Sequence, residues 1–306
     1  MKKEKPLVFV VLLNYNGADD TVDCLESLKE VTYPNIQVIV VDNASTDGSA
    51  EILHNRQEQY GYIFLQSNEN NGFSAGNNIG IRYALENGAD YVLLLNNDTV
   101  VEPSFLSMAV EESEHDDSVG LTIGKILYYK EPDLIWYGGG ELKQPYNYSI
   151  HLGFREKQNK AEFNQQRYVT FATGCYFLLK RHAIETVGLM DEDYFLYCED
   201  TDYSIRMIRS GLKMLYCPQS VIYHKVSAST GKGSAFSTYY IARNNIILFR
   251  RFFSGKERAV GLLYWFYKMF RSMLKGNLDR RAFWKGVQAG RSGEVGKNNL
   301  NYRVDV

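Results

Sequence analysis

The sequence predicts an α/β fold with a largely parallel central sheet, and three observations carry that reading. Four short apolar, β-branched runs occur at Leu7–Leu13, Ile36–Val41, Tyr62–Leu65 and Tyr91–Leu95. They lack polar alternation, as strands covered on both faces do. Stretches of helical spacing separate them, and Asn or Asp residues follow nearly every run.

Taken in order, Leu7–Leu13 is the first strand and Asn14-Tyr15-Asn16-Gly17 the loop after it. Ala18–Glu30 places Val22, Leu25 and Leu28 on one helical face, with Asp19, Asp20 or Thr21 available as a cap. Ser45–Gln59 and Asn77–Asn87 read as the next crossover helices, which completes a βαβαβαβ order. Beyond residue 100, Phe105–Glu114 is a further helix, and Gly138-Gly139-Gly140 marks a turn. Residues 141–168 are polar and poorly periodic, so a long loop or lid is expected there. Val169–Leu179 has strand character, Arg181–Val187 is helical, and Asp200–Ser210 is a helix ended by Gly211.

The chain has 306 residues, enough for one large or two small domains. Its net charge of −2 conceals a split. Residues 1–242 hold 20 Lys/Arg against 32 Asp/Glu, whereas residues 243–291 hold 12 against 2 together with ten Phe, Tyr and Trp. Such a basic, aromatic stretch suits the inner face of an anionic membrane; packing on the body or dimerisation would also use it. No nucleic-acid-binding motif accompanies the basic residues. The four cysteines, Cys24, Cys175, Cys198 and Cys217, have no metal or disulfide spacing and indicate a reducing compartment. Met1-Lys2-Lys3-Glu4-Lys5 before Leu7–Leu13 imitates a signal peptide, but the apolar run is short and no small-residue cleavage site follows. No run approaches the ~18–20 apolar residues of a spanning helix, so a cytoplasmic protein is expected.

Ligands of open parallel sheets sit beyond the carboxyl ends of the strands. Here those ends read Asn14-Tyr15-Asn16-Gly17, Asp42-Asn43-Ala44-Ser45, Asn68–Gly72 and Asn96-Asn97-Asp98-Thr99. Neither GxGxxG nor GxxxxGK[ST] follows the first strand, so a bound nucleotide would be held by side chains and metal. Asp42 can accept from a base imide or a ribose hydroxyl, and Asn14, Asn16 and Asn77 can both donate and accept. A diphosphate leaving group needs a divalent cation, for which Asp98 and His224 are candidate ligands. Taken singly, Asp98 also suits a helix cap and His224 a hydrogen-bonded core position. The densest acidic cluster, Met190 to Asp202, contains Glu199 and Asp200, either able to accept a proton from an attacking hydroxyl; helix N-termini also favour such residues.

These segments, with Asn71-Gly72-Phe73-Ser74-Ala75-Gly76-Asn77 and Phe195-Leu196-Tyr197-Cys198-Glu199-Asp200, resemble the family 2 glycosyltransferases, and their bacterial rhamnosyltransferase-like branch in particular. The resemblance spans about residues 7–250 and implies a GT-A fold and inverting transfer from a nucleotide-sugar donor. It implies that Asp42 binds the base, that Asn96 and Asn97 belong to the DxD-type site and that Gly174 lines the donor or acceptor sugar pocket; Asn14, Asn16, Asn43, Gly72 and Asn77 complete the expected nucleotide-sugar site. It further implies Mg²⁺ or Mn²⁺ on Asp98, His224 as a metal or diphosphate ligand, and Asp200, paired with Glu199, as the base. Arg243 and Asn244 match an element on the acceptor side. The metal motif reads Asn-Asn-Asp and lacks its first carboxylate, a form many rhamnosyltransferase-like members share, which inclines the donor toward dTDP-rhamnose. Expected boundaries are a catalytic domain over 1–242, with a nucleotide-binding half (1–100) and an acceptor half (101–242), and a helical extension over 243–306. A UDP-hexose donor, or a sugar-binding module without catalysis, is the alternative. The acceptor would be a glycan or lipid-linked glycan.

Overall fold

The computed structural model describes residues 5–146, 148–226 and 233–298. The charged residues 1–4 of the signal-like N-terminus lie outside them. β1 (Val8–Asn14), β2 (Ile36–Asp42), β3 (Ile63–Gln66) and β4 (Tyr91–Asn96) form the parallel half of a large sheet, with β1 between β2 and β4. α1 (Ala18–Lys29), α2 (Ser49–Tyr60) and α3 (Gly72–Glu86) are the crossovers. The sheet continues through β11 (Tyr176–Lys180), antiparallel to β4, then β6 (Val119–Tyr128), β12 (Lys213–His224) and β10 (Arg167–Val169). Short β5 (Thr99–Val101) pairs with the end of β12, and β7 (Ile135–Tyr137) with β6. Every side chain of β4 but the last is buried, as is nearly all of β1 and β6, in accord with their unbroken apolar runs.

α4 (Phe105–Glu114) and α5 (Arg181–Val187) flank the second half, and α6 (Glu199–Arg209) leads into β12. Pro218 is tolerated inside β12 because the register with β6 shifts between Cys217 and Val221, leaving no ladder bond for its missing N–H. Among the described residues three long helices follow β12: α7 (Ala235–Phe252), α8 (Gly255–Leu274) and α9 (Arg280–Ser292).

Several local expectations change. Gly17, not Asp19, Asp20 or Thr21, occupies the α1 cap position, where its carbonyl accepts from Thr21 N. α2 begins at Ser49, because Ser45 is spent on Asp42 and Gly48 is left-handed. α3 begins five residues earlier than expected, at Gly72. Residues 141–168 are no open loop: β8 (Gly140–Lys143) and β9 (Tyr148–His151) form a hairpin, followed by a 3₁₀ turn at Ala161–Asn164 and by β10. The expected strand over 169–179 is interrupted, because residues 170–175 leave the sheet between β10 and β11. The boundary expected at 242/243 falls in the middle of α7. That helix starts at Ala235, and its Ile247 and Leu248 belong to the main core.

Candidate active site

The parallel register aligns Asn14 with Asp42, Leu13 with Asn96, and Asp42 with Gln66, so three polar strand ends share one rim. β1 is where the strand order reverses, the place where open sheets bind ligands. Asn14 is buried and organises this rim. Its Nδ2 donates to Asp42 Oδ1 at 2.8 Å and to Ser45 Oγ at 3.1 Å, while its Oδ1 accepts from Thr21 Oγ1 and Asn97 Nδ2. Asn16, left-handed at φ 53°, holds Thr46 through both ends of its amide.

Asp42 is wholly buried and accepts from Ser45 N and Oγ as well as Asn14. In this conformation its carboxylate shapes the loop after β2. Asn43 donates to Asn70 Oδ1 and Gly72 O, while its own Oδ1 is buried without a partner. Two expected ligands are framework residues. Asn77 is buried and bonds back to Phe73 O within α3. Gly72 is left-handed at φ 91°, and a Cβ there would lie 2.1 Å from Phe195 O; only glycine lets these two backbones meet, and Phe73 N donates to the same carbonyl at 2.7 Å.

Asp98 follows β4, and its carboxylate faces His224 at the end of β12, with Oδ1 and Nε2 3.1 Å apart. β5 makes this meeting possible, since Thr99 pairs with His224 and Lys225 N donates to Asp98 O. Among the described residues no third His, Cys, Asp or Glu completes a cluster. One carboxylate and one imidazole still fit Mg²⁺ or Mn²⁺, which keep waters and take phosphate oxygens as remaining ligands. His224 Nδ1 is buried without a partner, and its ring stands edge-on to Trp136 at 4.6 Å.

Asp200 lies in the first turn of α6. Its Oδ1 accepts from Thr201 N at 2.7 Å, and Gly174 N–H points to the same carboxylate. Burial pushes Asp200 up to about 6, against the pull of these hydrogen bonds. Burial first, and then the neighbouring Asp200 charge, push Glu199 up to about 8, and Glu199 Oε2 has no hydrogen-bond partner. Both carboxyls are thus raised by burial, and the pair retains a shared proton more readily than exposed carboxylates would. Gly174 sits against Phe73, where a Cβ would lie 3.2 Å from the ring.

The loop before α6 is bent through three left-handed, non-glycine residues, Phe195, Tyr197 and Cys198. Asn244 Nδ2 donates to the carbonyls of Tyr194, Leu196 and Tyr197, and Arg243 to those of Tyr194, Asp193 and Gly296. Both side chains are fully buried, so the acceptor-side placement expected for them is corrected: they grip the back of the loop that carries Glu199 and Asp200.

Sequence reasoning missed three residues near Asp98. Trp136 and His151 wall His224, with ring centroids of Trp136 and His151 4.7 Å apart, and burial pulls His151 down to about 4, so it is neutral. Lys225 pairs with Asp20 at 2.8 Å and Asp23 at 2.6 Å. No polar strand-end pattern flags Trp136 or His151; Lys225 adjoins His224 in sequence and was legible on that ground.

A family model described as glycosyl transferase family 2 matches residues 9–188, which stops short of Asp200 and His224. The chain is 25% identical over 245 residues to a poly-beta-1,6-N-acetyl-D-glucosamine synthase of Staphylococcus aureus, covering 80% of this chain and 56% of that one. It thus spans about half the length of that relative. It is 26% identical over 258 residues to the dTDP-rhamnosyl transferase RfbF of Shigella flexneri, covering 80% of each. In fold it resembles a Pyrobaculum calidifontis mannosyltransferase in complex with GDP-Man and Mn²⁺ (TM-score 0.56, 17% identity, 94% of this chain and 85% of that one). It also resembles GalNAc-T7 with UDP, GalNAc and Mn²⁺ (TM-score 0.60, 14% identity, 96% and 59%). The architecture is GT-A, and the chain belongs to glycosyl transferase family 2.

Proposed function

We propose that this chain transfers a sugar from a nucleoside diphosphate donor to a glycan or lipid-linked acceptor with inversion at the anomeric carbon, and that the donor is dTDP-rhamnose. One observation carries the reading. The short segment Gly174-Cys175 runs between the two candidate centres: Cys175 O accepts from Asn96 N at 3.0 Å, two residues before Asp98, and Gly174 N–H reaches the Asp200 carboxylate. This supports a base and a metal-binding pair on one rim, as single displacement requires.

Asp200 takes the proton of the acceptor hydroxyl as that oxygen bonds to the anomeric carbon. The bond from that carbon to the diphosphate oxygen breaks, and its electron pair leaves with the nucleoside diphosphate. Asp98 and His224 would hold Mg²⁺ or Mn²⁺, which when bound neutralises charge on the diphosphate. A proton shared within the Glu199–Asp200 pair limits the negative charge at the base. The resemblance to RfbF at matching length, with the Asn96-Asn97-Asp98 motif, supports rhamnose. The poly-N-acetylglucosamine synthase relatives support a UDP-hexose as the second reading. Four free cysteines accord with a cytoplasmic site of action, at the inner face of the cell membrane for a lipid-linked acceptor.

The test is nucleoside diphosphate release from dTDP-rhamnose, UDP-hexoses and GDP-mannose with Mn²⁺ or Mg²⁺, beside Asp200→Asn. Turnover of dTDP-rhamnose, reduced about 10²-fold or more in the variant, is expected. Turnover of UDP-hexoses alone selects the second reading. If no donor is turned over or raises the melting temperature, the reading fails.

A further inference from the structure

α8 has two unlike faces. Toward the body, Trp265 is buried and stacks on Phe283 of α9 at 5.6 Å, and Gly261 lies so close to Pro145 O that a Cβ would approach it to 2.4 Å. Away from the body, Val260, Leu263, Tyr267, Phe270 and Leu274 follow one another at intervals of three and four residues, which puts them on a single stripe. Leu263, Phe270 and Leu274 are 71%, 60% and 66% exposed. Trp284 of α9, 59% exposed and stacked on Phe266 at 6.3 Å, widens the stripe. Single exposed apolar residues are ordinary, but a continuous row of this size on one helix indicates something that covers it.

The charge around the stripe decides what that is. Residues 255–291 contain nine Lys/Arg and two acidic residues, Glu257 and Asp279. Arg271 and Lys275 at the end of α8 and Arg280 and Arg281 at the start of α9 are all exposed. A second copy of the chain laid along the stripe would bring like charges together, without the opposite charges that paired helices place beside such a seam. An anionic bilayer complements both features, since its phosphates take the cations and its interface takes the aromatic and aliphatic side chains. Among the described residues no helix is long and apolar enough to cross a membrane, so α8 would lie in the interface plane.

We infer that α8 and the first turn of α9 form a docking surface for an anionic lipid bilayer, with Leu263, Phe270, Leu274 and Trp284 entering the interface and Arg271, Lys275, Arg280 and Arg281 binding lipid phosphates. The surface is joined to the candidate site by the β8–β9 hairpin. At its tip Tyr146 packs on Tyr264 at 4.8 Å and Tyr148 lies 3.3 Å beneath Lys268 Nζ; at its far end His151 stands against Trp136 beside His224. A docked protein would thus present its site next to the membrane, where a lipid-linked acceptor resides, although docking itself does not depend on sugar transfer.

Vesicle flotation of the full chain tests this, using phosphatidylcholine alone and phosphatidylcholine mixed with phosphatidylglycerol. Flotation with the mixed vesicles only, weakened by salt, is expected. Leu263→Glu with Phe270→Glu should abolish it, and Arg271→Glu with Lys275→Glu should weaken it at least about tenfold. All four positions face water, so unchanged melting temperatures verify folding. Protein that stays unbound with the mixed vesicles overturns the inference. So does a dimer in sedimentation that Leu263→Glu with Phe270→Glu splits, because a second copy would then cover the stripe.

Discussion

Glu199 and Asp200 are adjacent in sequence, yet their surroundings differ. Glu199 projects into the protein and leaves one oxygen unpaired; Asp200 collects donors from Thr201 and Gly174. A carboxylate raised by burial still acts as a base near neutrality, and its rate contribution falls as pH drops through about 6. The same burial has a stability consequence. The pKa of Glu199 is about 8 when folded against an ordinary 4.5. Its favourable contribution is therefore full below the ordinary value and is lost as pH rises through the folded one. Glu199→Gln, neutral throughout, is expected to gain melting temperature over wild type as pH goes from about 5 to about 9. Thermal melts across that range check it; a difference independent of pH would move the proton elsewhere.

The loop between the 3₁₀ turn at Glu192–Tyr194 and α6 carries three non-glycine residues at positive φ. Leu196 N bonds Tyr194 O at 2.6 Å around Phe195, a tight reversal that backbone sterics disfavour. α7 compensates by meeting its carbonyls with Asn244 and Arg243. Asn244→Ala would leave up to three carbonyls without that donor and is expected to cost roughly 1–3 kcal/mol, read in urea melts. Asn244→Asp should cost more, because a carboxylate would face those same carbonyl oxygens. If the loop positions Asp200, Asn244→Ala should also lower kcat with little change in donor KM. A normal kcat in a folded but less stable variant would limit Asn244 to scaffold.

For the whole molecule, the C-terminal helices are structurally inseparable from the α/β body. Ile247 and Leu248 of α7 lie in the main core, and Gly286 and Gly290 of α9 let that helix approach the α7 backbone to distances no Cβ would permit. A fragment ending at residue 242 would cut α7 before its core residues Ile247 and Leu248 and remove the grip of Arg243 and Asn244 on the loop before α6. It is expected to lack the cooperative thermal transition of the full chain, as circular dichroism would show. A cooperative melt of that fragment would restore the boundary expected from the charge shift. The sequence alone determined the order of the first four strands and their crossovers, the absence of a glycine phosphate loop after the first strand, and which polar residues end those strands. Those features depend on local periodicity and on the requirement that a doubly covered strand be apolar throughout. Helix starts were less legible, because Ser45 and Gly72 are engaged by residues distant in sequence. Only the tertiary structure decided that Asp98 meets His224, that Asn77, Arg243 and Asn244 are buried supports, and that the α8 stripe faces water. Each of those depends on packing between segments far apart in the chain, which no local pattern encodes.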